Sequence, residues 1–205
     1  MNKRNVQNLY ALGHAQWYDP FKKIWNRLVS IKAEKELATF LEKNVSNNAS
    51  ILELGCGTAL NLEKIFALDL NFKKYLGLDF STDMLEIAKN KFANLPHVKF
   101  QQKDITSLND IEEKFDIVIC TWVLSHLQSP SQVVNQMQKL ISPRGKAFLI
   151  FFSRQKWFIN VWLYPLAKYL FKAKPVSKEE ISKFNNVKTE HKFAAGITTT
   201  IEIHK

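Results

Sequence analysis

Apolar and polar positions follow one another along the chain in a way that predicts strands and helices in turn. Segments with strand-like patterns occur at 51–54, 75–79, 98–105, 115–121 and 146–152. Between them, apolar residues recur at helical spacing over 61–70, 81–94 and 131–141. Strands that alternate with helices in this way are typical of βαβ units. A nearly continuous apolar run such as 115–121 is typical of a parallel strand covered on both faces. The pattern therefore predicts an α/β fold built on a parallel sheet.

The two ends of the chain depart from this alternation. Residues 2–44 carry apolar side chains at roughly helical spacing, interrupted at Pro20, which predicts a pair of helices laid over the edge of the following domain. Near the C-terminus, 187–193 and 197–203 alternate between apolar and polar residues around the sequence Ala-Ala-Gly at 194–196. This arrangement predicts an antiparallel hairpin.

A glycine-containing turn follows the first predicted strand. Gly55 and Gly57 stand between Ile51–Leu54 and the next helical pattern, and glycine allows both a sharp turn and close approach of a ligand. The free N–H groups of the following helix would then face that ligand. A dinucleotide fingerprint needs a further glycine where this chain has Leu60, so a nicotinamide cofactor is disfavoured.

Polar residues lie at the carboxyl ends of four successive predicted strands. Glu53, Asp79, Asp104 and Thr121 all lie at predicted carboxyl ends, where open α/β sheets bind their ligands. Asp79 follows the glycines by about 20 residues, the distance expected for a carboxylate that binds ribose hydroxyls. Asp104 suits an adenine amino group or, as an alternative, the start of a helix. These residues predict one ligand-binding rim.

Together these motifs resemble those of the class I S-adenosylmethionine-dependent methyltransferases. The family pattern is an acid two residues before Gly-x-Gly-x-(Gly/Ala), matched here by Glu53 and by Ala59 in the third small position. The segment Leu140–Gly145 resembles the family's L-x-P-G-G turn, with Arg144 in place of the first glycine. The pair Tyr18-Asp19 is similar to the "YD" segment of quinone and phospholipid methyltransferases.

The resemblance implies a Rossmann-like, seven-stranded, mostly parallel sheet with an antiparallel C-terminal hairpin and an N-terminal helical cap. It implies S-adenosyl-L-methionine as the cofactor. Met84 would lie near the adenine, although a core position is the alternative. The residues expected to hold the cofactor are Glu53, Gly55, Cys56, Gly57, Asp79, Phe80, Met84, Asp104, Ile105 and Thr121.

A methyl acceptor with an ionisable proton also needs a base. His126, just after the fourth strand, is the best-placed candidate, and Tyr18 or His14 could reach in from the N-terminal helices. The alternative for His126 is a histidine that packs on a loop or ends a helix. No cluster of histidine and cysteine has the spacing of a metal site.

The segment 154–174 is rich in aromatic residues, is flanked by Arg and Lys, and contains no acid. Such a composition suits an interfacial segment on anionic lipid. A hydrophobic lid over the active site, or helices that simply pack on the sheet, are the alternatives. The interfacial and lid readings both favour an apolar substrate. A nucleic-acid groove would instead need basic residues in a more polar setting.

The whole chain is consistent with a single domain of 205 residues with a formal charge of +10. We divide it into N-terminal helices (1–44), a cofactor-binding core (50–152), the insertion (153–175) and a C-terminal helix and hairpin (176–205). The charge favours an anionic partner such as nucleic acid or a membrane surface. The absence of a secretory signal pattern suggests a cytoplasmic protein, with peripheral binding at the inner membrane face as a further option.

The sequence thus predicts methyl transfer to an apolar or lipid-like small molecule, such as a phospholipid amine or a quinone precursor. Two alternatives stay open at this point. One is an RNA or protein methyltransferase, which the net charge supports. The other is a non-catalytic binding protein with this fold, to which Ala59 and Arg144 at glycine positions would point.

Overall fold

A computed structural model describes residues 30–153 and 173–205 of the chain. The predictions for the "YD" segment with Tyr18, for His14 and for most of the insertion, 154–172, fall outside these residues. The domain boundaries stay a prediction.

Seven strands form one sheet in the order β3-β2-β1-β4-β5-β7-β6. Strands β1 to β5 run parallel to one another, whereas β7 pairs antiparallel with both β5 and β6. The predicted fold class and C-terminal hairpin are therefore confirmed. The strands are β1 (Ser50–Leu54), β2 (Lys74–Asp79), β3 (Val98–Gln102), β4 (Phe115–Thr121), β5 (Ile141–Phe152), β6 (Val187–Phe193) and β7 (Thr198–His204).

Helices cover both faces of this sheet. Their bounds are α1 (Ile31–Asn44), α2 (Leu60–Ala67), α3 (Thr82–Lys91), α4 (Pro130–Lys139) and α5 (Lys178–Ile181). The apolar side chains of α1 and α2 pack in one cluster with Ile117, Ile119 and Phe148. Those of α4 pack on the other face with Val118 and Leu149. The apolar runs of the central strands are thus buried on both sides, as their composition predicted.

Four elements differ from the sequence prediction. Helix α1 packs on the face of the sheet rather than over its edge. Helices α2 and α3 end earlier than their apolar spacing suggested, at Ala67 and Lys91. The predicted turn at 143–145 is a bulge inside β5, because β4 pairs through Phe115 with Ile141 and through Ile117 with Lys146. The extra residues of β5 are accommodated without ending the strand.

The side chain of Asp116 links β4 to β1 and β5 near the amino ends of these strands. Its Oδ2 accepts hydrogen bonds from the backbone N–H and the hydroxyl of Ser50, at 2.9 and 2.8 Å, and its Oδ1 accepts one from the hydroxyl of Ser142, at 2.9 Å. Partial burial acts to raise the pKa of Asp116, but these hydrogen bonds outweigh it and hold the pKa below its ordinary value. The ionised carboxylate therefore stabilises the start of β1 and the bulge of β5.

Replacing Asp116 with Asn should destabilise the fold by about 1–3 kcal/mol, because one charged acceptor of several hydrogen bonds is lost. The lowered pKa of Asp116 means that its contribution is present above the unfolded-state pKa and is lost as the pH falls through the folded-state pKa. Urea unfolding at pH 7 and pH 3.5 should therefore show the deficit of Asp116→Asn shrinking at the lower pH. Glu112→Gln, an exposed change in the loop before β4, is the control and should unfold like the wild type. A deficit that does not change with pH would contradict this account.

Candidate functional site

A cavity of about 700 Å³ opens at the carboxyl ends of β1 to β4. Its size is within the range of small-molecule sites. Of the residues singled out from the sequence, those that line it are Gly55, Gly57, Asp79, Phe80, Met84, Asp104, Ile105, Thr121 and His126. The parallel strands therefore bring together residues that are up to about seventy positions apart in the chain.

The glycine turn is shaped by two different requirements. Gly55 has φ +69°, and a Cβ atom placed there would lie 2.1 Å from Cγ2 of Val123. Gly57 has φ +53°, but a Cβ atom there would meet no atom within 4 Å. Gly55 is thus required by packing inside the protein, whereas Gly57 exposes its backbone to the open cavity. This is the arrangement that lets a ligand approach the main chain closely.

The third small residue of the motif also departs from ordinary backbone geometry. Ala59 precedes the first turn of α2 with φ +64° and ψ +41°, in the left-handed region. Its side chain is fully buried in the cluster that contains Ile51 and Leu62. The helix–strand packing is intact, as expected from the small side chain. The left-handed conformation, which costs an L-residue roughly 1–2 kcal/mol, explains why the family pattern favours glycine here.

Asp79 connects the two loops that border the cavity. Its Oδ2 accepts a hydrogen bond from the N–H of Gly57 at 2.8 Å, and its Oδ1 accepts one from the N–H of Ser81 at 2.9 Å. Burial raises the pKa of Asp79, while these backbone N–H groups act to lower it. An ionised carboxylate can accept about four hydrogen bonds, so Asp79 has further capacity for a ligand in the cavity.

Glu53 and Cys56 are not among the residues that line the cavity, and their role in holding the cofactor stays a prediction. Glu53 is 1% exposed and lies beneath the glycine turn. Its Oε1 accepts from Nδ2 of Asn61 at 2.8 Å, and its Oε2 accepts from the hydroxyl of Tyr75 at 2.5 Å. Nδ2 of Asn61 also donates to Oγ1 of Thr121 at 2.9 Å. Glu53 therefore supports the cavity wall from below, because it comes two residues before the turn and its side chain faces the core.

Burial gives this network unusual acid–base properties. Removal from water raises the pKa of Glu53 to about 7, although the hydrogen bonds from Tyr75 and Asn61 act in the opposite direction. Burial also raises the pKa of Tyr75 and of Cys56 well above their ordinary values. The tyrosine and the thiol are accordingly neutral near pH 7. Glu53 is the member of this group whose charge changes in the physiological range.

The remaining predicted residues occupy two sides of the cavity. Oδ1 of Asp104 accepts from the N–H and the hydroxyl of Thr106, at 2.9 and 2.7 Å, so it organises a turn rather than the start of a helix. Met84 is 3% exposed and lies on α3, whose first turn is capped by Ser81. Met84 is almost fully buried and also lines the cavity, and its place near the adenine stays a prediction.

His126 lies on the other side of the cavity, in a single 3-10 turn that follows β4. The backbone N–H of His126 donates to the carbonyl of Val123 at 2.9 Å, which fixes the turn. The other candidate bases, Tyr18 and His14, lie outside the described residues. Among the candidate bases, the structure therefore brings His126 to the site.

Sequence reasoning missed several residues of the cavity wall. Trp122 and Val123 follow β4 directly, and the polar side of the wall includes Gln102, Lys103, Thr106, Gln128, Ser129 and Gln132. Their position after strand ends was visible in the sequence. Their residue types match no motif, however, and only the fold shows that the start of α4 and the end of β3 border one cavity.

Neither a metal cluster nor a membrane-spanning helix is found in residues 30–153 and 173–205. No group of three or more potential metal ligands among His, Cys, Asp and Glu side chains occurs in these ranges. In the same ranges, no helix has both the length and the apolar character needed to cross a bilayer.

Replacing Glu53 with Gln should change how stability depends on pH. The folded-state pKa of about 7 exceeds the ordinary value of 4.5, so the folded protein binds a proton that the unfolded chain releases. Wild-type stability should therefore fall as the pH rises from 5 to 8, by at most about 3 kcal/mol from this group. Glu53→Gln removes the titration, and its stability relative to wild type should improve over that range in urea unfolding.

Glu63→Gln provides the matched control, because Glu63 lies on α2 and its side chain is 41% exposed. Its stability should follow the wild-type pH profile. If Glu53→Gln and wild type gave parallel profiles, the raised pKa of Glu53 would be refuted.

Sequence comparisons agree with this geometry. A profile of the methyltransferase domain matches residues 52–147. The ubiquinone biosynthesis O-methyltransferase of Coxiella burnetii is 28% identical over 149 residues, which cover 71% of this chain and 61% of that protein. The mitochondrial ubiquinone biosynthesis O-methyltransferase of Saccharomyces cerevisiae is 24% identical over 195 residues, or 91% of this chain and 61% of the relative. The chain thus spans less than two thirds of the length of these curated relatives.

Solved structures show the same fold. Magnesium protoporphyrin IX methyltransferase from Synechocystis PCC 6803, solved with bound SAH (S-adenosylhomocysteine), superposes with a TM-score of 0.69 at 17% identity, covering 98% of both chains. The strand order and the glycine turn with its acid agree with these similarities. Residues 52–147, just under half of the chain, match the methyltransferase domain, and the fold is that of solved S-adenosylmethionine-dependent methyltransferases, with similarity to the ubiquinone biosynthesis O-methyltransferases.

Proposed function

We propose that this protein transfers a methyl group from S-adenosyl-L-methionine to an apolar small molecule, with a hydroxyl group of a quinone precursor as the acceptor. The observation that carries the proposal is the hydrogen bond that the N–H of Gly57 donates to Asp79 at the edge of one cavity. The similarity to ubiquinone biosynthesis O-methyltransferases supports the choice of acceptor. A phospholipid amine is a second acceptor, to be tested in the same assay.

The described residues fit such a cofactor. The space beside Gly57 is open to the approach of a ligand, and the N-terminus of α2 presents backbone N–H groups next to it. The carboxylate of Asp79 would accept the ribose hydroxyls with the capacity that its backbone partners leave. Met84 and Ile105 are nearly buried apolar side chains on the same side, and they would surround the adenine. Asp104 borders that region.

When bound, this cofactor supplies an electrophilic methyl group on a sulfonium centre. The protein's own contribution is to hold the acceptor in line, to exclude water and to remove the acceptor's proton. His126 is the described side chain that we assign to proton removal. Tyr18 is a second candidate, which the family resemblance of its segment supports.

The acceptor would lie on the β4 side of the cavity, opposite Asp79 and Asp104. Val123, Leu127 and Val133 give this side an apolar lining. The described ends of the insertion also lie here, since Ser153 pairs with Val176 and the N–H of Lys174 donates to the carbonyl of Ser125 at 2.8 Å. Ser125 precedes His126 directly. This supports a role for the insertion in covering the acceptor.

We further propose a cytoplasmic location in which the insertion's aromatic and basic residues contact the inner membrane face. That contact would give access to a prenylated acceptor. Methylation of RNA or protein is the alternative that the charge of +10 favours. Transfer of labelled methyl groups to lipid, small-molecule, RNA and protein fractions of a cell extract separates these functions, and label in RNA or protein alone would exclude the proposed acceptor.

Cofactor binding can be tested by calorimetry with S-adenosylhomocysteine. Asp79→Asn should raise the dissociation constant by about 10- to 100-fold, because a charged acceptor for the ribose and for the N–H of Gly57 is lost. Glu86→Gln, an exposed change on α3, should bind like the wild type. If wild-type protein failed to bind S-adenosylhomocysteine, the proposed function would be wrong. If Asp79→Asn bound S-adenosylhomocysteine as tightly as the wild type, only the role of Asp79 in cofactor binding would be refuted.

The role of His126 can be tested with a catechol that carries a short prenyl chain as the acceptor. His126→Gln should lower kcat by about 100-fold or more, since a positioned general base contributes that much, and should leave the affinity for S-adenosylhomocysteine unchanged. His97→Gln is the matched control, because His97 precedes β3 at the opposite end of the sheet. An unchanged kcat in His126→Gln would show that another residue removes the proton.

A further inference from the structure

Trp122 occupies a strained position in the cavity wall. It follows β4 directly and has φ +66°, a backbone conformation that a bulky residue adopts only where its surroundings hold it. Its side chain packs against the cluster of α1 and α2, and the residue also lines the cavity. Trp122 therefore connects the helical layer on one face of the sheet with the site at the carboxyl ends of the strands.

A carboxylate on α1 holds the indole. Oε1 of Glu34 accepts a hydrogen bond from Nε1 of Trp122 at 3.3 Å. Oε2 of the same carboxylate is paired with Nζ of Lys64, on α2. The side chains of Glu34 and Lys64 are 15% and 23% exposed, so water screens this pair only partly. One acidic side chain thus links the helix that follows the glycine turn to the wall after β4.

The neighbours of Trp122 are also fixed. Thr121 accepts a hydrogen bond from Asn61 at 2.9 Å. Val123 fills the space that a side chain at Gly55 would need. The backbone N–H of Trp122 itself donates to the carbonyl of Ile150 at 2.6 Å. A rotation of the backbone at Trp122 would therefore shift its two neighbours in the chain, Thr121 and Val123, and both of them line the cavity.

We propose that Glu34 is a positioning residue, which acts through Trp122 to shape the acceptor end of the cavity. Trp122 lies on the β4 side, separated from Asp79 and Asp104 by the glycine turn. The effect of Glu34 should accordingly fall on the acceptor rather than on the adenosyl part of the cofactor. The inference rests on the proposed methyl transfer for its location of the acceptor, but the contact between Glu34 and Trp122 is independent of it.

Four variants isolate the parts of this link. Glu34→Leu removes both partners of the carboxylate. Glu34→Gln keeps an oxygen that can accept from Nε1 of Trp122 but loses the charge that pairs with Lys64. Lys64→Met removes the ion pair alone. Trp122→Phe keeps an aromatic ring but removes the indole N–H.

The first readout is kinetic, with the prenylated catechol as the acceptor. Glu34→Leu and Trp122→Phe should each raise its KM by about tenfold, as expected for the loss of one hydrogen bond to a charged group. Glu34→Gln should restore most of the wild-type KM, and Lys64→Met should stay within about twofold of it. The double variant Glu34→Leu/Trp122→Phe should be no worse than either single variant, because both break the same link. The affinity for S-adenosylhomocysteine should be unchanged throughout.

The second readout does not need activity. The indole N–H signals of the 15N-labelled protein can be recorded by NMR, and the signal of Trp122 is the one missing in Trp122→Phe. Glu34→Leu should shift this signal and speed its hydrogen exchange, whereas Lys64→Met should leave its exchange slow. An unchanged signal, an unchanged KM, or an equal loss of affinity for S-adenosylhomocysteine in Glu34→Leu would overturn the proposal. A wild-type protein that does not bind S-adenosylhomocysteine would overturn the proposed function and the acceptor role together, while the NMR result would still decide whether Glu34 holds Trp122.

Discussion

The site depends on the carboxylate of Asp79 at the end of β2. By accepting N–H groups from Gly57 and Ser81, it fixes the turn after β1 and the start of α3 relative to each other. Both N–H groups lie outside the regular hydrogen-bonding ladders of sheet and helix. A single side chain therefore sets the width of the opening between two βα units. Its burial disfavours the charged form, and the backbone donors offset that cost.

Beneath this layer, a second set of polar contacts replaces what would otherwise be apolar packing. Tyr75, Glu53, Asn61 and Thr121 form a hydrogen-bonded chain that runs from β2 through β1 and α2 to β4. A buried polar network is costly unless each member is paired, and these groups pair with one another. Glu34, on α1, adds a further set of polar contacts, to Trp122 and Lys64. The cavity wall is thus supported by side chains, such as Glu53 and Glu34, that do not themselves line it.

Much of the fold could be predicted from the sequence, because the apolar runs of β1 and β4 leave few alternatives to a doubly covered parallel sheet. The rim was also predictable, since strand ends such as Asp79 and Asp104 converge by topology alone. Depth was not. Glu53 looks like a ligand-binding acid in the sequence, yet strand pleating turns it toward Tyr75. Contacts between distant segments, such as Glu34 with Trp122, left no local signal, and the bulge at 143–145 depends on pairing with β4.

Ala59 shows what a motif of small residues actually specifies. Its left-handed backbone is maintained by the buried cluster around it, so the shape of the turn comes from its surroundings and not from the freedom of glycine. A family definition that demanded three glycines would exclude this chain, whereas one written in backbone angles would include it. The turn is therefore better described as a conformation that several small residues can occupy at different energetic cost.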